Sequence, residues 1–141
     1  MTSDTRPLPP LPVPDELTKP FWEAANQGRL VIQRCGECRR FYHPPQVLCP
    51  TCVDSALSFE EVSGRGTLYS FSIMRDQRVR GFEDRVPYVN VMVVLEEQPL
   101  LMMVAILDGV APEQVVIGAP LEVTFQRLTA DIALPQFRLV G

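Results

Sequence analysis

Cys35-Gly36-Glu37-Cys38 and Cys49-Pro50-Thr51-Cys52 form two CxxC pairs with ten residues between them, and they hold all four cysteines of the chain. A CxxC turn brings two sulfurs onto one ion while backbone amides point at them. Two such turns a short loop apart supply the two edges of a tetrahedron of four thiolates. That donor set selects zinc, with iron as the chemical rival because it also accepts four thiolates. Four sulfurs leave no open coordination position, so the expected role is structural. Two disulfides or redox-active pairs are the competing readings. Met1 to Pro20 has no apolar run of signal-peptide length and carries six prolines among residues 7–20. A reducing cytoplasm disfavours disulfides, and pairs this close suit one ion better than two redox centres. His43 lies between the pairs and could replace a ligand; with four cysteines present it is expected to pack at the surface of the metal-bearing unit.

The segments around the pairs read as a small ribbon. Residues 29–33 (RLVIQ) form a strand into the first knuckle, Phe41 and Tyr42 return, and Pro44-Pro45 break the return strand. Leu30, Ile32, Phe41 and Val47 are expected to cover the apolar side of the metal. So small a unit cannot bury enough surface alone, so the ion contributes folding energy. Upstream, residues 15–28 read as a short helix, capped by Asp15 or by Thr18 and stopped by Gly28, with Pro20 in its first turns. Phe21 and Trp22 on it dock either on this chain's own core or on a partner. The lead 1–14 is proline-rich and extended, a tail by default, with Leu8, Leu11 and Val13 as apolar anchors.

From residue 57 the pattern is β: strands are expected at 57–62, 67–75, 87–96, 100–107, 115–118, 121–128 and 137–140, separated by turn signals such as Ser63-Gly64-Arg65-Gly66. This many short strands without a strong helix between them argue for a small antiparallel barrel or sandwich, and an OB-fold barrel fits the size best. The fold class is therefore mainly β, with an N-terminal helix, a zinc ribbon and a C-terminal OB-fold. The divisions are 1–28 (arm and helix), 29–56 (ribbon) and 57–141 (barrel).

The 141 residues are 46% hydrophobic and 21% charged, with a net charge of −4 and a pI of about 5.0. An acidic balance argues against nucleic acid, which needs a basic face. No apolar stretch reaches the roughly 18 residues a membrane span needs, and the expected location is the cytoplasm. Among the residues able to do chemistry, no catalytic set stands out. The single histidine lies in the ribbon, and Ser63, Ser70 and Ser72 carry no activation signal. The carboxylate pairs Glu60-Glu61, Glu83-Asp84 and Glu96-Glu97 suit solvated turns. The segment 75–85 (RDQRVRGFEDR) holds four arginines and three acids in a connection long for a hairpin. A solvated loop with internal ion pairs is the plain reading. The functional one is contact between the arginine forks and phosphate oxygens of a ligand, with Phe82 anchoring a partner.

The run PFWEAANQGRLVIQRCGECRRFYHPPQVLCPTC, then SGRGTLYSF, PYVNVMVVLEE, VIGAPLEVTF and PQFRLV, resembles the DUF35 family from about residue 14 to the end. The resemblance implies an N-terminal helix, a rubredoxin-like zinc ribbon and an OB-fold, with Cys35, Cys38, Cys49 and Cys52 on the metal. It also implies a non-catalytic accessory subunit of an acyl-CoA enzyme that helps enclose the CoA thioester. The implied partner is a thiolase-like protein, such as a retro-aldolase of steroid side-chain degradation or a thiolase, possibly with a MaoC-like hydratase, in a two-plus-two hetero-oligomer. Arg75, Arg78, Arg80 and Phe82 are the candidate CoA contacts, and Phe21 and Trp22 the candidate interface. Two alternatives stand beside this. One is an OB-fold binder of single-stranded nucleic acid, which would need a basic groove with stacking aromatics. The other is a rubredoxin-like electron carrier with iron.

Overall fold

The computed structural model describes residues 9–140, so Leu8 and the rest of 1–8 in the expected arm lie outside the described residues. Helix α1 spans Lys19–Asn26. Thr18 stands at the N-cap but makes no side-chain bond to the helix, and Asp15 caps the turn before it. Asp15 Oδ1 accepts from the Thr18 amide at 2.8 Å and Thr18 Oγ1 accepts from the Asp15 amide at 3.0 Å, so one extra turn precedes Pro20. Gly28, at φ +76°, closes the helix: its amide bonds Ala25 O and the Arg29 amide bonds Ala24 O.

Strands β1 (Val31–Cys35), β2 (Phe41–Tyr42) and β3 (Leu57–Glu61) form a three-stranded antiparallel sheet in the order β2-β1-β3. β3 was expected to open the barrel. Instead it pairs with β1 over five registers, Val31↔Glu61 to Cys35↔Leu57. β1 is the central strand of this sheet, and its edge away from β2 needs a partner for its backbone groups, which β3 supplies.

Strands β4 (Arg65–Met74), β5 (Tyr88–Leu95), β6 (Met102–Leu107), β7 (Pro120–Arg127) and β8 (Ala133–Leu139) close a barrel in the order β4-β5-β6-β8-β7. This is the five-stranded Greek-key order of an OB-fold. The barrel is not wholly antiparallel: β6 and β8 run parallel and share the single register Leu107↔Phe137. The strand expected at 115–118 is absent. A 3-10 turn at Pro112–Gln114 and a turn at Gly118 (φ +87°) take its place.

Inside the barrel, Leu68, Val89, Val91, Val93, Leu95, Leu121 and Phe137 are fully buried, and the same cluster runs on to Phe21, Leu30, Ile32 and Phe41. The helix, ribbon and barrel thus share one core. Val47, expected over the metal, is instead exposed. The buried Gln33 side chain accepts from the Gln46 amide and donates to its carbonyl, so this point of the loop faces inward and the next residue faces out. Gln98, from the β5–β6 turn, does the same to the backbone of Phe41 at 2.8 and 3.1 Å, giving the edge of β2 a surrogate partner from the barrel. At the other end of α1, Arg127 of β7 donates to Asn26 Oδ1 and to its carbonyl. No helix among the described residues is long and apolar enough to cross a membrane.

Candidate metal centre and partner surface

Cys35 ends β1, Cys38 follows in the first knuckle, and Cys49 and Cys52 form the second. Their four Sγ atoms lie within 4.8 Å of one another. The Cys35–Cys52 and Cys38–Cys49 separations are 3.9 and 3.8 Å. Metal–sulfur bonds of about 2.3 Å in a tetrahedron require sulfur–sulfur edges of about 3.8 Å. The residues therefore fit a four-thiolate ion.

The electrostatics lead to the same conclusion. The amide of Cys38, ahead of burial and the Glu37 amide, sets the balance that holds the Cys35 thiol below its usual range. Burial opposes ionisation of Cys49, yet hydrogen bonds from the Tyr42 hydroxyl and the amides of Cys52 and Thr51 outweigh it and bring the thiol to about 6. Burial and the neighbouring sulfurs of Cys38 and Cys35 push Cys52 up to about 12. Thiolates this close repel, and a cation at their centre is what lets all four ionise. The surrounding donors are in place: Glu37 N lies 3.4 Å from Cys35 Sγ, Cys52 N 3.3 Å from Cys49 Sγ, and Tyr42 Oη 3.4 Å from Cys49 Sγ. Tyr42 is itself fixed by Thr51 at 2.7 Å. Tyr42 and Thr51 escaped the sequence reading. Their signal was an aromatic donor four residues past the first knuckle and a hydroxyl inside the second.

His43 is not among the clustered ligands. Its ring lies 5.7 Å from that of Phe21, and burial lowers its pKa. Phe21 is buried, with Trp22 edge-on to it at 5.1 Å. Together with Pro45, Met103, Val104, Leu134 and others they line an apolar groove of about 220 Å³ where α1 meets β6 and β8. Phe21 therefore docks on this chain's own core, while Trp22 lies at its half-exposed margin.

The 75–85 connection is brought together only in part. Arg78 forms a fork onto Asp76, Nε–Oδ1 2.9 Å and Nη2–Oδ2 3.0 Å, which holds the Asp76 carboxyl below its ordinary range. The guanidinium groups of Arg75, Arg80 and Arg85 have no partner among the described residues. Phe82 folds back to stack on Tyr88, ring centroids 5.2 Å apart.

Residues 22–58 match the family model described as the rubredoxin-like zinc ribbon domain of ChsH2, and residues 59–126 that of its C-terminal OB-fold domain. A DUF35 domain-containing scaffold protein of Methanocaldococcus jannaschii is 35% identical over 120 residues, covering 83% of this chain and 82% of that one. A probable enoyl-CoA hydratase alpha subunit of Thermomonospora curvata is 39% identical over 119 residues. A 3-oxo-4,17-pregnadiene-20-carboxyl-CoA hydratase alpha subunit of Mycobacterium tuberculosis is 31% identical over 120 residues. The matches cover 84% and 79% of this chain, which spans only 36% and 37% of the two hydratase subunits. Among solved structures, a chain of the "Ltp2-ChsH2(DUF35) aldolase" superposes with a TM-score of 0.79 at 35% identity, over 91% of this chain and 98% of that one. The similarity runs through helix, ribbon and barrel together, and this chain belongs to the DUF35 family, with a rubredoxin-like zinc ribbon followed by an OB-fold domain.

Proposed function

We propose that this chain is a non-catalytic accessory subunit of an acyl-CoA enzyme complex, bound to a thiolase-like partner that carries the reaction. One observation carries the reading: nearly the whole chain superposes on nearly the whole DUF35 chain of a two-component aldolase. The site chemistry agrees with it. The cysteines suit a closed structural ion, and the one histidine is packed against Phe21 in a groove lined by no acid and by a single hydroxyl, that of Thr18, which is engaged by the Asp15 amide. The ion is zinc, the usual occupant of a closed four-thiolate ribbon, and its role is to hold the two knuckles and the β1–β3 sheet in register. A retro-aldolase acting on a steroid side-chain CoA thioester is the first candidate partner, with a thiolase or a MaoC-like hydratase next and a two-plus-two assembly.

In this reading the 75–85 connection lies at the mouth of the shared site, and Arg75, Arg78 and Arg80 meet the CoA phosphates. Phe82, stacked on Tyr88, shapes the base of that connection, and Trp22 extends the contact with the partner.

The test is co-expression of the tagged chain with a thiolase-like protein of the same genome, followed by size-exclusion chromatography with mass readout and an acyl-CoA cleavage or condensation assay. A stable complex that is active only when both chains are present is expected. A solitary chain beside a fully active neighbour would refute the reading. Within a complex, Arg78→Ala with Arg80→Ala is expected to weaken CoA-ester affinity at least fivefold, and unchanged affinity removes the CoA assignment.

A further inference from the structure

The strand β4 is paired on one side only over its second half. It pairs with β5 from Gly66 to Met74, across a bulge at Tyr69. Its pairing with β7 covers Arg65, Gly66 and Thr67 alone, and Leu68 exchanges the last bonds on that side with Ala119 O and Gly118 N. Beyond Leu68, residues 69–74 (YSFSIM) make no backbone hydrogen bond on the side away from β5 among the described residues. A free row of amides and carbonyls is a template for another strand, and monomeric proteins blunt such rows with charges, prolines or a covering element. This segment contains no charge and no proline, and its Tyr69 and Phe71 are exposed.

The adjoining sheet face is equally unusual. Arg65 is the one charged residue in β4, β5 and β6. β5 and β6 turn Val89, Val91, Val93, Met103, Ala105 and Leu107 inward, yet their other face carries Met92 opposite Val104, Val94 opposite Met102 and Asn90 opposite Ile106. An antiparallel sheet with one wet face alternates apolar with polar residues, so strands apolar on both faces indicate a covered sheet. Val104 is 67% exposed in the isolated chain. At that end of the barrel the 75–85 connection also carries Arg85, whose guanidinium has no partner among the described residues, on a chain of net charge −4.

We infer that the free edge at 69–74 receives an extended segment of the partner subunit, added as a sixth strand, with apolar side chains beside the exposed Tyr69 and Phe71 and an acidic residue toward Arg85. The unpaired backbone row calls for a strand, the exposed aromatic side chains of the edge for apolar partners, and Arg85 for an acid. This rests on the accessory-subunit reading, and the partner is the thiolase-like chain.

The experiment is hydrogen exchange followed by mass spectrometry on the free chain and on its co-expressed complex with that thiolase-like chain. Amides within 69–74 are expected to slow at least tenfold in the complex. Ser72→Lys, an exposed charge placed at the edge, is expected to weaken the complex at least tenfold, while Val53→Lys, exposed on the ribbon, leaves it intact. A complex that forms with unchanged exchange at 69–74, or that tolerates Ser72→Lys, overturns the strand addition and leaves the accessory role standing. Protection in the chain alone that grows with concentration makes a second copy the occupant and overturns the inference. If the wild-type chains form no complex, the accessory reading fails and this inference with it.

Discussion

Gly66→Ala provides a sharp test of the barrel. Gly66 stands near the start of β4, paired with Leu95 of β5 on one side and Leu121 of β7 on the other. An added Cβ would meet the Val94 carbonyl oxygen at 2.4 Å and Val93 Cγ1 at 2.7 Å. Ordinary contact begins near 3.4 Å, so β4 must move by about 1 Å, a large shift in an interior packed as densely as an organic crystal. The nearest obstacle is backbone, which no rotamer change removes, and the strand is held from both sides. Overpacking of this kind costs about 2–3 kcal/mol. Urea denaturation should therefore show a midpoint lower by about 1 M or more at unchanged slope. Gly36→Ala is the control, since nothing lies within 4 Å of its added Cβ, and it should stay within about 0.5 kcal/mol of wild type. If Gly66→Ala matches the control, the tight β4–β5 approach is wrong.

Further predictions concern the metal and the histidine. Purified protein should contain one zinc per chain by elemental analysis, and Cys49→Ser should lose it together with the β1–β3 sheet; a folded, metal-free ribbon by NMR would contradict the structural role. Iron in place of zinc would appear as a red protein and return the electron-carrier reading to the fore. Burial lowers the pKa of His43 below 6.5, so the folded chain favours the neutral ring. The unfolded chain then binds the extra proton, and stability falls as pH drops below about 6.5 toward the depressed value. The sign is the same for Glu60, held low by Arg34 and Arg39, but its window lies lower: that contribution is complete above its ordinary 4.5 and fades only below it. His43→Gln should flatten the stability profile between pH 6.5 and 5, and an unchanged slope would mean the ring is not desolvated at the helix contact.

The ribbon was legible because its information is local. Two CxxC turns bring their own sulfurs together within a few residues, and Asp15, Thr18 and Gly28 bound a helix through contacts three to five residues away. The barrel strands were legible for a similar reason, since alternation and turn residues are read one strand at a time. Which strands pair, however, is set by contacts between distant residues. β3 was placed with the barrel because a strand's composition does not name its neighbour, and the parallel β6–β8 contact left no local mark. The same holds for the two glutamine amides that stand in for strand partners, the stacking of Phe82 on Tyr88, the capture of Arg78 by Asp76, and the second half of β4, which pairs on one side only among the described residues. Each depends on where separate segments end up in space, and a short-range pattern in the chain carries the sulfur cluster but not these arrangements.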